Sequence, residues 1–432
     1  MKINMTIGAV TLALGVAAAV QAQTPPPTGT PVYISGSTAF RAQVYAGLQD
    51  LGLSSQTGDS SSANTFTFTG TPNGTIVSGL PSGLLTGGAV TVYCSFDGSL
   101  QGVDALAHPS SHSDTFENIG GPSAGTFSHT ADLAFSDVSQ ASAYYVDQSP
   151  VLNELISADA TVSFTGLAVQ PFLWGANAAA TAKFNYINNI QIYSLLNDGV
   201  LDLSYWTGVA TDFAAPLGSP TFEPPPSAKT VTLTGRDNSS GTRITAQQLA
   251  NWNPATPINQ YTINGVTSDP ATLGTGLNWA YITNSGYSSG GKVTDSLEYP
   301  GTFPAVSYLS FSDAKTLPYG TAAFTGGATP VAGSILSYGG VNPVLSLGAT
   351  YPTYNIAAVV NGQWPFWSYE HLYESINVVS GGYIDASFGP GLVDSIDYEI
   401  GLQKTTKPPQ TAILEGDMNV YRSVDGGPVY HN

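Results

Sequence analysis

Residues 231–249, VTLTGRDNSSGTRITAQQL, form the stretch that decides the fold. Strand-type residues run into a turn of small and polar residues, after which Ile244, Leu249 and Trp252 recur at helical spacing. Ser, Thr and Gly are the residues that begin helices and form tight turns. A strand, a short turn and a helix N-terminus in this order point backbone N–H groups outward, where they can bind an anion. The stretch therefore predicts an α/β unit with an anion-binding corner.

The same pattern occurs at two other places in the chain. Residues 32–48, VYISGSTAFRAQVYAGL, give a short strand, a small-residue turn and a helix that Gly52 is predicted to end. A weaker copy follows the strand at residues 92–95 and reads FDGSLQGV at residues 96–103. Short strands alternate with a few helices and no internal repeat is present. This organisation favours an α/β fold over an all-β one.

The composition of the 432-residue chain restricts its partners. Hydrophobic residues make up 42% and aromatic residues 11%, which is enough for a large core in two or three domains. Charged residues are only 9%, and 11 basic against 29 acidic residues give a net charge of −18. A chain this acidic does not bind nucleic acid or an anionic membrane through bulk charge. Any anion site must be local and shielded from water.

Cysteine and histidine usage predicts neither a disulfide nor a metal site. The only cysteine, Cys94, lies in an apolar run and is predicted to be a buried small hydrophobe. Among the five histidines, only His108 and His112 have metal-ligand spacing. They lie in a Ser/Pro-rich stretch, which favours a loop pair over a metal site. No metal and no cofactor are therefore predicted.

The N-terminus has the features of a secretory signal peptide. Lys2 precedes an apolar run at residues 7–20, and small residues at 20–22 suit signal cleavage. Residues 1–22 are predicted to be the signal peptide and residues 23–29 a Pro-rich linker. No cysteine follows, so a lipid anchor at that point is excluded. The mature protein is predicted to be periplasmic or secreted, with no later membrane-length run.

Arg236 distinguishes the second corner from an ordinary helix cap. Capping alone explains any single Ser/Thr/Gly corner. Here, however, one of only eleven basic residues stands four positions before Ser240, Gly241 and Thr242. An arginine offers a planar fork of donors that suits phosphate or carboxylate, and the hydroxyl and N–H groups of the turn complete the set.

With these corners the chain resembles the periplasmic phosphate-binding proteins of ABC importers (PstS-type). The resemblance rests first on residues 32–48 and 231–249, quoted above. Further segments fall in the family's order and extend it over most of residues 30–375: 131–137 (ADLAFSD), 167–172 (LAVQPF), 190–206 (IQIYSLLNDGVLDLSYW), 286–297 (GYSSGGKVTDSL) and 305–314 (AVSYLSFSDA).

The resemblance implies a type II periplasmic-binding-protein fold. In this α/β fold two lobes are joined by two crossover strands, and the ligand lies in the cleft between the lobes. The first lobe is expected to comprise residues 30–166 plus 350–432, and the second lobe residues 167–349. The crossover strands are expected at residues 167–172 and near 364–369.

The resemblance also implies the ligand-binding residues. Those on the family's phosphate-contacting turn are Arg236, Ser240, Gly241 and Thr242. Phe40 falls where a backbone N–H binds phosphate, and Asp137 falls on the carboxylate that accepts a hydrogen bond from a protonated phosphate oxygen. Ser99, or alternatively Ser95, takes the place of the serine on the second turn.

The chain departs from the family pattern at three places. Ala39 stands where the family has Thr, so Thr38 is expected to supply that hydroxyl. The second turn reads Ser-Phe-Asp-Gly-Ser-Leu-Gln-Gly-Val where the family has Ser-Gly-Gly-Val. Between the arginine and the serine the family's acidic position is Asn238, with Asp237 one place early. These differences concern the choice of oxyanion more than the presence of a site.

The carboxylate of Asp137 is expected to influence which oxyanion binds. A carboxylate repels a fully deprotonated anion but accepts a hydrogen bond from a ligand that carries a proton, as HPO4²⁻ does and sulfate does not. The alternative for Asp137 is a helix cap after a strand.

The predicted function is capture of inorganic phosphate by an exported, monomeric solute-binding protein that serves an ABC permease, with no enzymatic activity. An alternative is a secreted or cell-surface scaffold that keeps the fold and binds oxyanions weakly or differently. A hydrolase is a third possibility, because residues 286–290 match Gly-x-Ser-x-Gly and His371 lies downstream. In a chain with 48 glycines that match is weak.

Overall fold

The structure is a computed structural model that describes residues 29–72, 88–140, 152–155, 167–214, 226–301, 303–324, 327–375, 377–378 and 383–432. The predicted signal peptide, residues 1–22, lies outside the described residues, as does the predicted linker up to residue 28. Within the described parts of the chain, none of the helices combines the length and apolarity needed to span a bilayer.

The strands and helices, numbered in chain order, are given by their bounds. The strands are β1 (Thr30–Gly36), β2 (Ser54–Ser55), β3 (Thr65–Gly70), β4 (Val90–Ser95), β5 (Asp114–Glu117), β6 (Thr126–His129), β7 (Leu133–Ser136), β8 (Leu152–Leu155), β9 (Ala168–Ala176), β10 (Tyr186–Ile187), β11 (Val200–Asp202), β12 (Thr230–Leu233), β13 (Asn259–Ile263), β14 (Trp279–Thr283), β15 (Ala305–Ser310), β16 (Ser334–Tyr338), β17 (Val344–Leu347), β18 (Pro352–Tyr354), β19 (Trp367–Ser375), β20 (Val420–Tyr421) and β21 (Tyr430–His431). The α-helices are α1 (Arg41–Asp50), α2 (Ser99–Ala107), α3 (Ala178–Thr181), α4 (Asn189–Asp198), α5 (Ser204–Thr207), α6 (Gly241–Leu249), α7 (Gly290–Glu298), α8 (Phe311–Ala314), α9 (Ile356–Val360) and α10 (Gly389–Thr405).

The first lobe is built on a mixed sheet. In it β1 pairs in parallel with both β4 and β7, and β3 adds antiparallel to β4. Helices α1 and α10 pack against each other, and α2 packs on β7 and β1. Apolar side chains from the strands and helices, such as Ile34, Phe40 and Phe135, fill a buried core. Cys94 lies in this core, as the sequence predicts.

The second lobe has the same parallel arrangement in its own part of the sheet. Strand β12 pairs in parallel with β15, and β15 pairs antiparallel with β9. Helices α6 and α7 follow strand–turn segments here as α1 and α2 do in the first lobe. A larger aromatic core, which includes Trp174 and Tyr308, lies in this part of the molecule.

Two long neighbouring strands connect the lobes. Strands β9 and β19 are buried along their whole lengths and pair antiparallel through residues 168–171 and 367–370. The rest of β9 pairs with β15 in the second lobe, and the rest of β19 pairs with β7 in the first. The predicted α/β fold with two lobes and two crossover strands is confirmed.

The exact division of the chain between the lobes stays a prediction. Tyr354, Trp364 and Phe366 all pack in the core of the second lobe. We propose a return to the first lobe near residue 370, within β19, as an alternative to the predicted boundary at residue 350, which stays untested.

One stretch that reads as a surface insertion contributes to the core. Residues 54–87 are rich in Ser, Thr and Gly, which indicates a loop. Residues 65–70, TFTFTG, nevertheless form β3, and the side chains of Phe66 and Phe68 are fully buried. The phenylalanines contact Tyr45 of α1 in edge-on geometry. A loop prediction from composition is therefore wrong for residues 65–70, because two aromatic residues bury enough apolar surface to outweigh the polar residues around them.

The C-terminal segment after α10 contacts both lobes. Thr411 accepts a hydrogen bond from Gln43 Nε2 of α1 at 2.9 Å, and Ile413 forms a β-bridge with Val169 of β9. Val420 then packs in the core of the second lobe. Asp425 returns to the first lobe, where its carboxylate accepts a hydrogen bond from the backbone N–H of Ser139.

A buried carboxylate lies in crossover strand β19. Glu370 is fully buried, and neither of its carboxylate oxygens has a hydrogen-bond partner. Burial raises the pKa of Glu370 well above its ordinary value, and the nearby carboxylates Asp137 and Asp425 raise it further. Because the folded state holds this proton more tightly than the unfolded chain does, Glu370 lowers stability as the pH rises from its unfolded pKa through its folded pKa.

Replacing Glu370 by glutamine is therefore expected to flatten the alkaline side of the pH–stability curve. The amide has the shape of the protonated acid but never ionises, so its advantage over the parent should grow with pH. Urea unfolding from pH 5 to pH 9 measures this. The exposed Asp198→Asn variant, which removes a charge at the end of α4, is the control and should track the parent. A constant difference between Glu370→Gln and the parent across the range would contradict the prediction.

Candidate functional site

The predicted site lies where the carboxyl ends of the parallel strands face one another across the two lobes. The first lobe contributes the turns after β1, β4 and β7, and the second contributes the turn after β12. In parallel sheets the turns at this edge converge, which is why such crevices bind ligands. Each turn except that after β7 leads directly into a helix, so several helix N-termini meet here.

Asp137 joins the two lobes. Its carboxylate accepts a hydrogen bond from the hydroxyl of Ser99 at the start of α2, and another from Thr242 Oγ1 of α6 at 3.1 Å. The backbone N–H of Asp137 donates to the same Ser99 hydroxyl at 3.4 Å. Asp137 is 1% exposed. Its side chain thus contacts hydroxyls from both lobes, as opposed to capping one helix.

Burial sets the acidity of Asp137. Removal from water raises the pKa of this carboxyl above its ordinary value. The hydrogen bond from Ser99, the positive charge of Arg236 and the hydrogen bond from Thr242 each oppose that rise without cancelling it. Asp137 therefore exchanges its proton at a higher pH than a carboxyl in water does.

Arg236 is buried near Asp137, and all three of its guanidinium nitrogens donate hydrogen bonds. Nη1 donates to Thr38 Oγ1 of the first lobe at 2.7 Å. Nε donates to the carbonyl of Tyr287 at 3.1 Å, and Nη2 donates to the carbonyl of Ser288 at 2.6 Å. The two carbonyls fix the plane of the guanidinium, and the contact to Thr38 crosses from one lobe to the other.

The N-terminus of α6 contacts the side chain of Asp137 directly. Ser240 caps the helix, since its hydroxyl accepts a hydrogen bond from the Arg243 N–H at 3.3 Å. Gly241 begins the helix, and a Cβ atom on this glycine would lie only 1.8 Å from Asp137 Oδ1. Glycine is therefore required at this position for the two lobes to approach as they do. A carboxylate at a helix N-terminus is also favoured by the helix dipole.

Phe40 contributes its backbone but not its side chain. The ring is buried in the core of the first lobe, 5.7 Å from the ring of Phe135. Its N–H donates to the carbonyl of Ser37 at 3.3 Å, a long bond that a better acceptor can replace.

The structure separates the two candidate serines of the second turn. Ser99 contacts Asp137, whereas Ser95 ends β4 and its buried hydroxyl has no hydrogen-bond partner. Two other buried hydroxyls in these turns, those of Ser37 and Thr234, also have no partner. The corners thus hold hydrogen-bonding capacity that the protein itself leaves unused.

The lobes touch at the predicted residues. Besides the contacts of Asp137 and Arg236, the backbone N–H of Leu100 in α2 donates to the carbonyl of Ser239 at 3.0 Å. Thr38, Ser99, Asp137, Arg236, Ser240 and Thr242 are each at most 3% exposed. An ion between Asp137 and Arg236 therefore requires these direct contacts to separate.

An open cavity of about 610 Å³ lies next to this cluster, between α1 on one side and α7 and α8 on the other. Its lining includes Ser289, the neighbour of the Ser288 carbonyl that Arg236 contacts. Cations and carboxylates line it in equal number: Arg41, Lys292, Lys315, Asp269, Asp295 and Asp313. Although the chain has a net charge of −18, the positive and negative side chains that line this cavity cancel in formal charge.

Arg41 is the residue of this region that the sequence interpretation missed. It begins α1 directly after Phe40 and reaches the second lobe, where its Nη2 lies 3.5 Å from Asp313 Oδ1. Burial lowers the pKa of Arg41, and Asp313 opposes that change. A scarce cation at the start of the helix after the first corner was the available signal. The partner 272 positions away was not readable from the sequence.

The hydrolase interpretation finds no support in the surroundings of Ser288. Its hydroxyl accepts a hydrogen bond from Lys292 Nζ at 2.8 Å, and its carbonyl is bound by Arg236. The next residue, Ser289, caps α7. His371 lies in β19, where its Nε2 is 3.3 Å from Asp425 Oδ2.

Comparison with known proteins finds structural similarity only. No family model matches the chain, and no curated protein matches it. A putative phosphate ABC transporter substrate-binding protein from Clostridium perfringens, solved with bound phosphate, is 12% identical with a TM-score of 0.46, covering 89% of this chain and 99% of that one. An ABC-type phosphate transport receptor from Vibrio cholerae is 9% identical with a TM-score of 0.37, covering 86% and 98%. Similarity at this level does not identify a ligand.

Proposed function

We propose that the protein is an exported solute-binding protein that captures inorganic phosphate between its lobes for uptake through an ABC permease. The observation that carries the proposal is the placement of two buried, oppositely charged side chains at the lobe interface. Asp137 offers acceptors and Arg236 offers donors, and both are held by hydroxyls of the opposite lobe. No reaction is assigned to the site, and a monomer suffices because one chain supplies both lobes.

Phosphate uses each kind of group at this interface. Its bare oxygens accept hydrogen bonds from Arg236, from the hydroxyls of Thr38, Ser99 and Thr242, and from the N–H groups at the start of α6. Its P–O–H group donates to Asp137. The same hydroxyls that now satisfy Asp137 and Arg236 would turn to the ion, so no buried polar group loses its partner.

The lobes have to part for the ion to enter. Crossover strands β9 and β19 are the connection about which they can move. The cavity beside Arg41, lined by equal numbers of cationic and carboxylate side chains, is the open space through which water and the ion reach Asp137 and Arg236. Once the ion is bound, its oxygens replace the direct Thr38–Arg236 contact and hold the lobes together.

A specific observation also favours the alternative, a secreted scaffold with weak or different oxyanion binding. The lobes already satisfy Asp137 and Arg236 without a ligand, so the fold is complete in its absence. Calorimetry of the purified chain with phosphate, sulfate and arsenate separates the two. Tight, exothermic binding of phosphate would support a solute-binding protein. Absence of binding to all three anions would support a secreted scaffold.

Asp137→Asn is expected to reduce the preference for phosphate over sulfate, mainly by improving sulfate binding. The amide can still accept a hydrogen bond from phosphate and can also donate one to a proton-free sulfate oxygen. In the parent, sulfate binding should improve as the pH falls, because the raised pKa of Asp137 lets the protonated carboxyl donate instead of repel. In the variant this pH dependence should vanish. Parallel titrations with both anions at several pH values measure it.

Asp132→Asn is the matched control for this experiment. Asp132 lies just before β7, at the opposite end of the same strand from Asp137, and accepts a hydrogen bond from the Tyr33 N–H at 2.9 Å. Its substitution should leave the anion preference unchanged. An unaltered phosphate-to-sulfate ratio in Asp137→Asn would remove Asp137 from the site.

A further inference from the structure

Three metal-ligating side chains meet at the C-terminal end of α2, in the first lobe. Asp104 lies in the helix, His108 follows its last residue, and His112 belongs to the turn beyond. A carboxylate oxygen and one ring nitrogen from each histidine lie within 4.8 Å of one another. Spacing alone, in a Ser/Pro-rich stretch, predicts a loop pair of histidines. The structure adds a carboxylate to that pair.

The backbone explains why the three side chains converge. The N–H of His108 donates to the carbonyl of Asp104 at 2.9 Å, and the N–H of His112 donates to the carbonyl of His108 at 2.9 Å. One of these bonds closes the last turn of α2, and the other closes the turn that follows, in which His108 (φ −126°, ψ 57°) has left the helical conformation. Because each turn brings the chain back after four residues, the three side chains come to lie on one side of it. The three ligands are thus placed by main-chain hydrogen bonds and not only by their mutual attraction.

The side chains already point toward a common centre. His108 Nδ1 lies 2.7 Å from Asp104 Oδ1, and His112 Nε2 lies 3.2 Å from Asp104 Oδ2. The other ring nitrogen of His112, Nδ1, lies 3.1 Å from the hydroxyl of Ser111. A hydrogen bond from that Nδ1–H to Ser111 leaves the Nε2 lone pair directed at the centre, as metal-binding histidines require.

We propose that Asp104, His108 and His112 bind a divalent transition-metal ion, with Zn²⁺ as the best fit. Two imidazoles and one carboxylate are a ligand set that Zn²⁺ accepts in tetrahedral geometry, with the fourth position open to water or another group. Ligands of a tetrahedral Zn²⁺ at about 2.0–2.1 Å from the ion stand about 3.3 Å apart. The 3.2 Å between His112 Nε2 and Asp104 Oδ2 is close to this value. His108 Nδ1 lies 2.7 Å from the other oxygen, Oδ1, so a rotation of the carboxylate or of the imidazole has to bring both nitrogens to the ion that one oxygen binds.

The site is accessible without any movement of the lobes. The side chain of His112 is 54% exposed, that of His108 is 22% exposed and that of Asp104 is 12% exposed. The ion can enter from solvent over His112, while Asp104 holds it from below. Because metal and protons compete for the same nitrogens, metal affinity should rise with pH.

Titration of the tag-free chain with ZnCl2 in a phosphate-free, non-chelating buffer tests the site. We expect one Zn²⁺ per chain, with affinity at least tenfold weaker in His112→Ala and His108→Ala. His112 is exposed, so its variant should fold like the parent. His431→Ala, which removes an exposed histidine near the C-terminus, is the matched control and should bind as the parent does.

The visible spectrum of bound Co²⁺ gives a second readout, because its intensity distinguishes tetrahedral from octahedral coordination. An intense spectrum in the parent that is lost in His112→Ala supports the site. Absence of Zn²⁺ binding to the parent, or equal binding by the parent and both histidine variants, would overturn the proposal. Neither result bears on phosphate capture, which involves the opposite end of α2.

Discussion

Replacing Arg236 by alanine should weaken phosphate binding by about 2–4 kcal/mol, which corresponds to a roughly 30- to 1000-fold higher dissociation constant. The guanidinium is buried, its plane is fixed by the carbonyls of Tyr287 and Ser288, and its Nη1 donates to Thr38 across the lobe interface. Alanine leaves an anion without its opposing charge. Arg236→Lys should recover only part of the affinity, since an ammonium cannot reproduce the fork. Calorimetry with phosphate measures both.

The control separates binding from folding. Arg422 is equally buried and also donates to a backbone carbonyl, that of Gly427 at 2.8 Å, while its guanidinium stacks on Trp367 at 4.4 Å. Arg422→Ala should lower thermal stability with little change in phosphate affinity. If Arg236→Ala and Arg236→Lys both bind phosphate as the parent does, the anion site lies elsewhere.

Gly241→Ala should weaken phosphate binding about as much as Arg236→Ala does, but for a steric reason and not an electrostatic one. The added methyl group would lie 1.8 Å from Asp137 Oδ1 and 2.9 Å from Ser99 Oγ, so it would occupy the space beside Asp137 that the proposed ion has to enter. We expect a loss of about 3 kcal/mol in phosphate affinity, roughly a hundredfold. Alanine is a better helix former than glycine, so each lobe should remain folded. Calorimetry and small-angle scattering together report affinity and closure.

Gly401→Ala is the matched control for Gly241→Ala. Gly401 lies within α10, where an added Cβ would meet nothing within 4 Å. This variant should bind phosphate normally and be slightly more stable. Normal phosphate affinity in Gly241→Ala would show that the close approach of α6 to Asp137 is not part of the bound state.

The corners of the fold could be predicted because their signals are local. Strand residues followed by Ser, Thr and Gly and then by helical spacing placed β1 with α1 and β12 with α6, and Ser240 does cap α6. Gly52 follows α1 at φ 79°, in the left-handed region, where a helix-ending glycine belongs. The small-residue turns therefore carried most of the reliable information about topology.

Other features depend on contacts that spacing does not reveal. The pairing of Arg41 with Asp313 and the burial of Glu370 arise only when distant segments meet. Residues 65–70 show the opposite error, since their alternating TFTFTG pattern was a readable strand signal inside a polar stretch. The grouping of Asp104 with His108 and His112 was also within reach, because i and i+4 spacing continues along the chain. What was missing was evidence that the turn after α2, where His108 leaves the helical conformation, still brings His112 back to Asp104.

The C-terminal segment that contacts both lobes affects the conformational entropy of the relative motion of the lobes. Through Thr411, Ile413 and Asp425 it adds a third strap beside β9 and β19, so the range of relative lobe orientations is narrower than two strands alone allow. A molecule that samples fewer open arrangements loses less disorder when a ligand holds it shut. More of the free energy from each contact with the ligand would then appear as binding affinity. Under the proposed function, the C-terminal segment would therefore lower the entropy cost of closing the lobes on a ligand.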